Sequence, residues 1–176
     1  MFNRILNKEL SVASIFLATL ALSDSQAKDT IKIAVPSFLS GGAAGPFGVP
    51  ARNGAEIVID AINAGKLPAP YAKKGFAGAA AEVVFIDESG GSTKQVAEYR
   101  NLVQKRSVDA VVGYISSGSC VALAPVIEEL KRLTVFTTCG TPRIFEEKDR
   151  NYIFRTMGHA TSDNVAAAHY VMAQFP

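Results

Sequence analysis

Charge of one sign is what this chain has little of: 18 lysines and arginines face 16 aspartates and glutamates, for a formal net charge of +2. That near-balance excludes the basic stripe that holds a phosphate backbone, so nucleic acid is not an expected partner. Histidine is almost absent. His159 and His169 both lie late in the chain, and no Ser/Cys–His–acid arrangement is visible. Cysteine is limited to Cys120 and Cys139, nineteen positions apart with no histidine cluster nearby, which excludes zinc-site and C-x-x-C redox spacing. No metal and no cofactor is expected. The apolar run Val12 to Leu22 is about half the roughly 20 residues needed to span a bilayer.

What is present at the amino terminus is an export signal. Arg4 and Lys8 precede the apolar run, and Ser25-Gln26-Ala27 supplies small residues two apart for a signal peptidase. Residues 1–27 therefore read as a cleaved signal peptide and the product as periplasmic, beginning near Lys28; an uncleaved anchor is the alternative. Cleavage removes Arg4, Lys8, Glu9 and Asp24, so the net charge does not change. In an exported chain a disulfide persists. A structural bridge between Cys120 and Cys139 is favoured over two unpaired buried thiols or a catalytic thiol. With 48% hydrophobic and 19% charged residues, the remainder fits a globule with one core.

Along that remainder, apolar runs alternate with helical periodicity. Ile31 to Val35, closed by Pro36, predicts a first strand; Glu82 to Ile86, Val108 to Gly113, Thr134 to Thr138 and Tyr152 to Thr156 predict four more. Between them Ala55, Val58, Ile59 and Ile62 mark one helix, stopped at Asn63-Ala64-Gly65. Val96, Tyr99 and Val103 mark a second, opened by a Ser92/Gln95 capping box. Leu123, Ile127 and Leu130 mark a third, over Ser119 to Leu130. A last helix runs through Val165, Ala168, His169 and Met172, capped by Ser162 or Asp163. Residues 66–81 read as a surface excursion, and Glu146 to Arg150 as a solvated loop or short helix. The pattern is α/β: a parallel sheet flanked by helices on both faces.

In such a sheet ligands lie beyond the carboxyl ends of the strands. Three loops fall there, at 40–48, 114–120 and 137–142. In the first, Pro46 is expected to keep a helix from running through. In the second, Ser116, Ser117 and Ser119 lead into a helix whose free N–H groups and dipole favour a carboxylate; the alternative is that Ser119 only caps the helix and Ser116 and Ser117 face water. The third offers the Thr141 hydroxyl and the Cys139 carbonyl. A Cys120–Cys139 bridge would stiffen the second and third loops together. The first loop lacks both G-x-G-x-x-G spacing and a Gly-Lys-Ser/Thr ending, and Ser117-Gly118 is not G-x-S-x-G. Asp87-Glu88, adjacent on a loop, are expected to point apart and meet solvent or a helix cap. His169 falls on the expected buried stripe of its helix, a packed or partly exposed histidine and not a base.

Several segments in order carry a resemblance. Ile31-Lys32-Ile33-Ala34-Val35, Leu39-Ser40-Gly41-Gly42 with Phe47-Gly48, Asn53-Gly54-Ala55, Asp60-Ala61-Ile62-Asn63-Ala64, Val112 to Ser119 and Tyr152 to Thr156 resemble the type I periplasmic solute-binding proteins of the branched-chain amino acid (Leu/Ile/Val) uptake family. The resemblance implies a non-enzymatic extracytoplasmic receptor that delivers a small carboxylate to the membrane permease of an ABC transporter. It implies that Phe47 packs on the ligand, that Ser117 with Ser116 and Ser119 binds its carboxylate, and that Thr141 and the Cys139 carbonyl take a second polar group. The best-known members carry tyrosine at Phe47 and a cysteine where Asp87-Glu88-Ser89 stands. Ser-Gly-Ser-Cys and Cys-Gly-Thr-Pro-Arg-Ile-Phe look closer to the branch that takes up aromatic acids, so phenyl-bearing carboxylates are the preferred class. Family members have two lobes and about double this length. Residues 28–156 are thus expected to form an N-terminal α/β ligand-binding lobe, and 157–176 the first helix of an incomplete second lobe, the chain being truncated before that lobe's sheet. A ligand-sensing domain of a receptor or regulator is the alternative, and a small secreted hydrolase a third.

Overall fold

A computed structural model describes residues 28–175; the expected signal peptide at 1–27 lies outside the described residues. Five apolar runs form the strands β1 (Thr30–Ser37), β2 (Ala80–Asp87), β3 (Ala110–Gly113), β4 (Thr134–Phe136) and β5 (Ile153–Arg155). They make one parallel sheet in the order β2-β1-β3-β4-β5. The helices are α1 (Val49–Ala64), α2 (Gly91–Gln104), α3 (Ser117–Leu130), the one-turn α4 (Arg143–Glu146) and α5 (Ala160–Gln174). As expected, α1 stops at Gly65, whose φ of 66° lets its N–H reach Ala61 and Ile62 carbonyls.

Sequence order dictates which face each helix covers. The step from β1 to β2 runs one way, whereas β2 to β3, β3 to β4 and β4 to β5 run the other, so right-handed crossovers put α1 on one face and α2 and α3 on the opposite one. The α2/α3 face is the principal core: Tyr99, Leu102, Val111, Leu123, Ile127 and Phe136 are fully buried there. On the α1 face, Ile33, Val35, Ile59 and Ala81 form a smaller cluster.

Helices flank both faces of the sheet, as expected, but the cover is unequal. Only β1 and β2 lie under α1, and a groove of about 320 Å³ lined by Ile33, Val35, Val58, Ile62, Phe76 and Val112 stays open beside it. Val58, expected inward, is 49% exposed for this reason. The α5 stripe is corrected too: Val165, Ala168, His169 and Met172 are all exposed, because no described element packs on that helix. It starts after His159, and neither Ser162 nor Asp163 is its cap.

Three smaller expectations also fail for local reasons. Pro36 does not end β1, since β3 pairs only with Ile33 and Ala34 and leaves no partner needing the missing N–H. Pro46 sits inside a single π-helical turn, Ala44–Gly48, that runs straight into α1; a first turn has unpaired N–H groups anyway. The Ser92/Gln95 capping box does not form. Gly90 precedes α2 with a left-handed φ of 103°, and the buried Gln95 amide donates to the Asp87 and Ser89 carbonyls at 3.2 and 3.3 Å.

Candidate functional site

All five strands point the same way, so the loops after β1, β3 and β4 meet at one edge of the sheet, and the sheet order makes them neighbours. The chain leaves β1 toward α1 on one face and leaves β3 toward α3 on the other, which opens a crevice between the first and second loops. Close approach seals its floor. The Tyr114 N–H donates to the Pro36 carbonyl at 3.1 Å, and its own carbonyl accepts from the Thr138 N–H at 3.3 Å. These bonds hold buried Tyr114 at φ 65°, a left-handed conformation unusual for an aromatic residue.

The first loop is moored to the end of β2. Asp87 accepts from the Leu39 N–H at 3.0 Å, the Ser89 N–H at 3.0 Å and the Ser40 hydroxyl at 2.6 Å, while the Ser89 hydroxyl donates to the Ser40 carbonyl at 2.8 Å. At the far end of the loop the Ser37 hydroxyl donates to the Gly48 carbonyl at 3.2 Å. Between these anchors Phe47 stands 55% exposed. Partial burial pushes the Asp87 carboxyl up, but bonds from Ser40, Ser89 and Leu39 outweigh it and hold the group well below the ordinary range. A depressed folded pKa gives stability that is present above the unfolded value near 4 and lost as pH falls through the folded one. Carbon-detected NMR should therefore find Asp87 ionised at pH 4, where an ordinary aspartate is about half protonated; half-protonation there would mean the mooring is not made in solution.

Next to it, Glu88 faces the other way and is 1% exposed. Its two oxygens accept from the Ile115 N–H at 2.7 Å and the Ser116 N–H at 2.8 Å. Asp87 and Glu88 do point apart, as expected, although Asp87 is the last residue of β2 and not part of the loop that begins at Glu88. What they meet is not solvent but the first and second loops, one each.

The second and third loops are joined directly. Cys120 and Cys139 are disulfide-bonded with Cα atoms 6.4 Å apart, within the usual span of such bridges. The Thr141 N–H donates to the Ser117 hydroxyl at 3.3 Å. Arg155, at the end of β5, donates to the Thr141 and Cys139 carbonyls at 2.7 and 3.3 Å and lies over the Phe145 ring at 5.1 Å. Ser116, not Ser119, caps α3: its hydroxyl accepts from the Ser119 N–H at 3.3 Å. Ser119 itself is 2% exposed, turned toward Glu88.

Of the residues singled out from sequence, Ser116, Ser117, Ser119, Cys139 and Thr141 thus form one cluster. Phe47 lies on the neighbouring loop and is tied to that cluster through Asp87 and Glu88. Those two carboxylates and Arg155 escape a motif reading because each acts on backbone groups far away in sequence. Only the alternation of a strand, which sends adjacent acids to opposite sides, hints at the pair.

The chain matches the family described as periplasmic binding protein over residues 30–176. It is 30% identical over 164 residues to the Leu/Ile/Val-binding protein BraC3 of Rhizobium johnstonii, covering 93% of this chain and 40% of that one. Its fold superposes on a solute-binding protein of an ABC transporter from Rhodopseudomonas palustris HaA2 in complex with p-hydroxybenzoic acid, with TM-score 0.66 and 27% identity over 83% of this chain and 36% of that one. It also superposes on the branched-chain amino acid transporter substrate-binding protein LivJ from Streptococcus pneumoniae in complex with isoleucine, with TM-score 0.63 and 26% identity over 74% and 34%. The chain spans about two fifths of the length of the curated relative it matches.

Proposed function

The chain belongs to the periplasmic binding protein family, and we propose that it acts as one lobe of an extracytoplasmic receptor that captures a small organic acid for an ABC-type membrane permease. The supporting observation is the braced edge: three loops side by side at the crevice between β1 and β3, with Ser117 and Gly118 opening α3 there. No acceptor among the described residues takes their N–H groups. Together with the Ser117 hydroxyl they form a cradle for one carboxylate.

In this proposal Phe47 supplies an apolar face for the ligand's body, and the Thr141 hydroxyl and Cys139 carbonyl take a second polar group. Ser116 and Ser119 act from behind, one as the helix cap and the other beside Glu88. The exposed phenyl ring of Phe47 favours a ligand with a ring of its own, which stacks with an added gain of roughly 1 kcal/mol. An aromatic acid is accordingly preferred over an aliphatic amino acid. Nothing in this set activates a nucleophile, and the proposed activity is binding without turnover.

A lobe offers one wall of a cleft, so the affinity expected for this chain is weak, roughly millimolar. Titration with p-hydroxybenzoate, followed by amide NMR, should shift Ser117 and Gly118 first, and isoleucine should shift them less. Ser117→Ala should weaken the effect several-fold. Shifts confined to the α1 face, or a stronger response to isoleucine, would overturn the ligand preference, and no shift at this edge with any acid would overturn the receptor proposal.

A further inference from the structure

Burying a lone carboxylate is costly, and Glu88 is compensated by one stretch of backbone, the turn that leads into α3. That turn is where an outside anion would be drawn. The Ile115 and Ser116 N–H groups are consumed from within, while those of Ser117 and Gly118, next along the chain, are left open. The glutamate directly follows β2, whose terminal Asp87 moors the loop that carries Phe47.

We infer that Glu88 is the positioning residue of the serine loop: its carboxylate fills the inner half of the α3 amino-terminal cradle and so leaves the Ser117 and Gly118 N–H groups as the place where an acid docks. Only the last clause rests on the receptor proposal; the hold on the loop stands apart from it. The geometry has a direct chemical consequence. A glutamine at this position offers one carbonyl oxygen to two donors, so one N–H of the turn loses its acceptor.

The groups acting on Glu88 are few. Asp87 is the neighbouring charge, the buried Tyr114 phenol and the Ser119 hydroxyl face it from the turn and from α3, and α2 contributes the uncharged Gln95 amide on the flanking carbonyls. Burial pushes the Glu88 carboxyl up, opposed by the Ile115 and Ser116 bonds, and the net displacement is upward. Its titration is therefore separable from that of exposed glutamates.

The test is a pH titration of the whole chain by amide NMR, with no variant required. Ile115 and Ser116 should move together with a midpoint above the ordinary glutamate range near 4.3, and Ser117 and Gly118 should report the same midpoint. Flat Ile115 and Ser116 amides would overturn the contact, and movement there with Ser117 and Gly118 unmoved would overturn the positioning role. In Glu88→Gln, checked for a native amide spectrum, these transitions should vanish and the response to p-hydroxybenzoate should weaken roughly tenfold. Undiminished binding by that variant would count against positioning. If the wild-type transitions occur as stated and no acid perturbs any amide, Glu88 still holds the loop and it is the receptor proposal that falls.

Discussion

Serine in place of both Cys120 and Cys139 should lower the free energy of unfolding by roughly 3 kcal/mol, because the bridge spans a sequence separation of 19 and that loop regains its freedom in the unfolded chain. For a domain of this size the loss corresponds to about 10 °C in melting temperature. Urea unfolding of the oxidised protein beside the double variant measures it, and a difference under about 1 kcal/mol would mean the bridge adds little constraint. The change should also be felt at the candidate site. Without the bridge, the second and third loops stay linked by the Thr141 N–H to Ser117 hydroxyl bond and the Thr138 N–H to Tyr114 carbonyl bond, neutral contacts worth only about 1 kcal/mol each. Arg155 would still hold the third loop to β5 and Glu88 the inner end of the second, so the loosening should be felt where the two loops face each other, at Ser117 and Thr141.

Gly113→Ala should cost about as much, roughly 3 kcal/mol, through overpacking. A β-carbon there would be driven into the Pro36 carbonyl oxygen, with Pro36 Cδ at 2.8 Å and its nitrogen at 3.0 Å. These are atoms of a central strand, and no side chain can swing aside. Relief requires β1 and β3 to part, at the point where the first and second loops diverge. Gly118→Ala is the control: its β-carbon would meet only the Ser116 and Ser92 hydroxyls at 3.6 Å, and alanine suits a first helical turn better than glycine. Its stability should change by less than about 1 kcal/mol. Equal losses in denaturant melts of the two variants would show that close approach to Pro36 is not what reserves position 113 for glycine.

The sheet was legible because its strands are near-continuous apolar runs, and buried parallel strands have no other way to look. Gly65 announced the end of α1, and the spacing of two cysteines on one expected edge announced their pairing. Errors came where a residue's partner lies outside its own helix or strand. Gln95 resembles a capping-box member until the Asp87 and Ser89 carbonyls are placed beside it. Asp87 and Glu88 look like surface acids until two loops are folded over them. The α5 stripe of Val165 and Met172 has apolar residues at helical spacing, yet periodicity states only which face is oily and says nothing of whether anything packs there. The clustering of Ser117, Cys139 and Thr141 was readable from topology alone, since parallel strands send every βα loop to the same side.

The groove beside α1 bears on how this protein responds to temperature. Apolar side chains such as Val58 and Phe76, 49% and 42% exposed in the native state, are already hydrated before the chain unfolds. Their wetting adds less to the heat capacity increment than burial under a second helix would, and the curve of stability against temperature should be correspondingly shallow, with cold as well as heat acting on it gently.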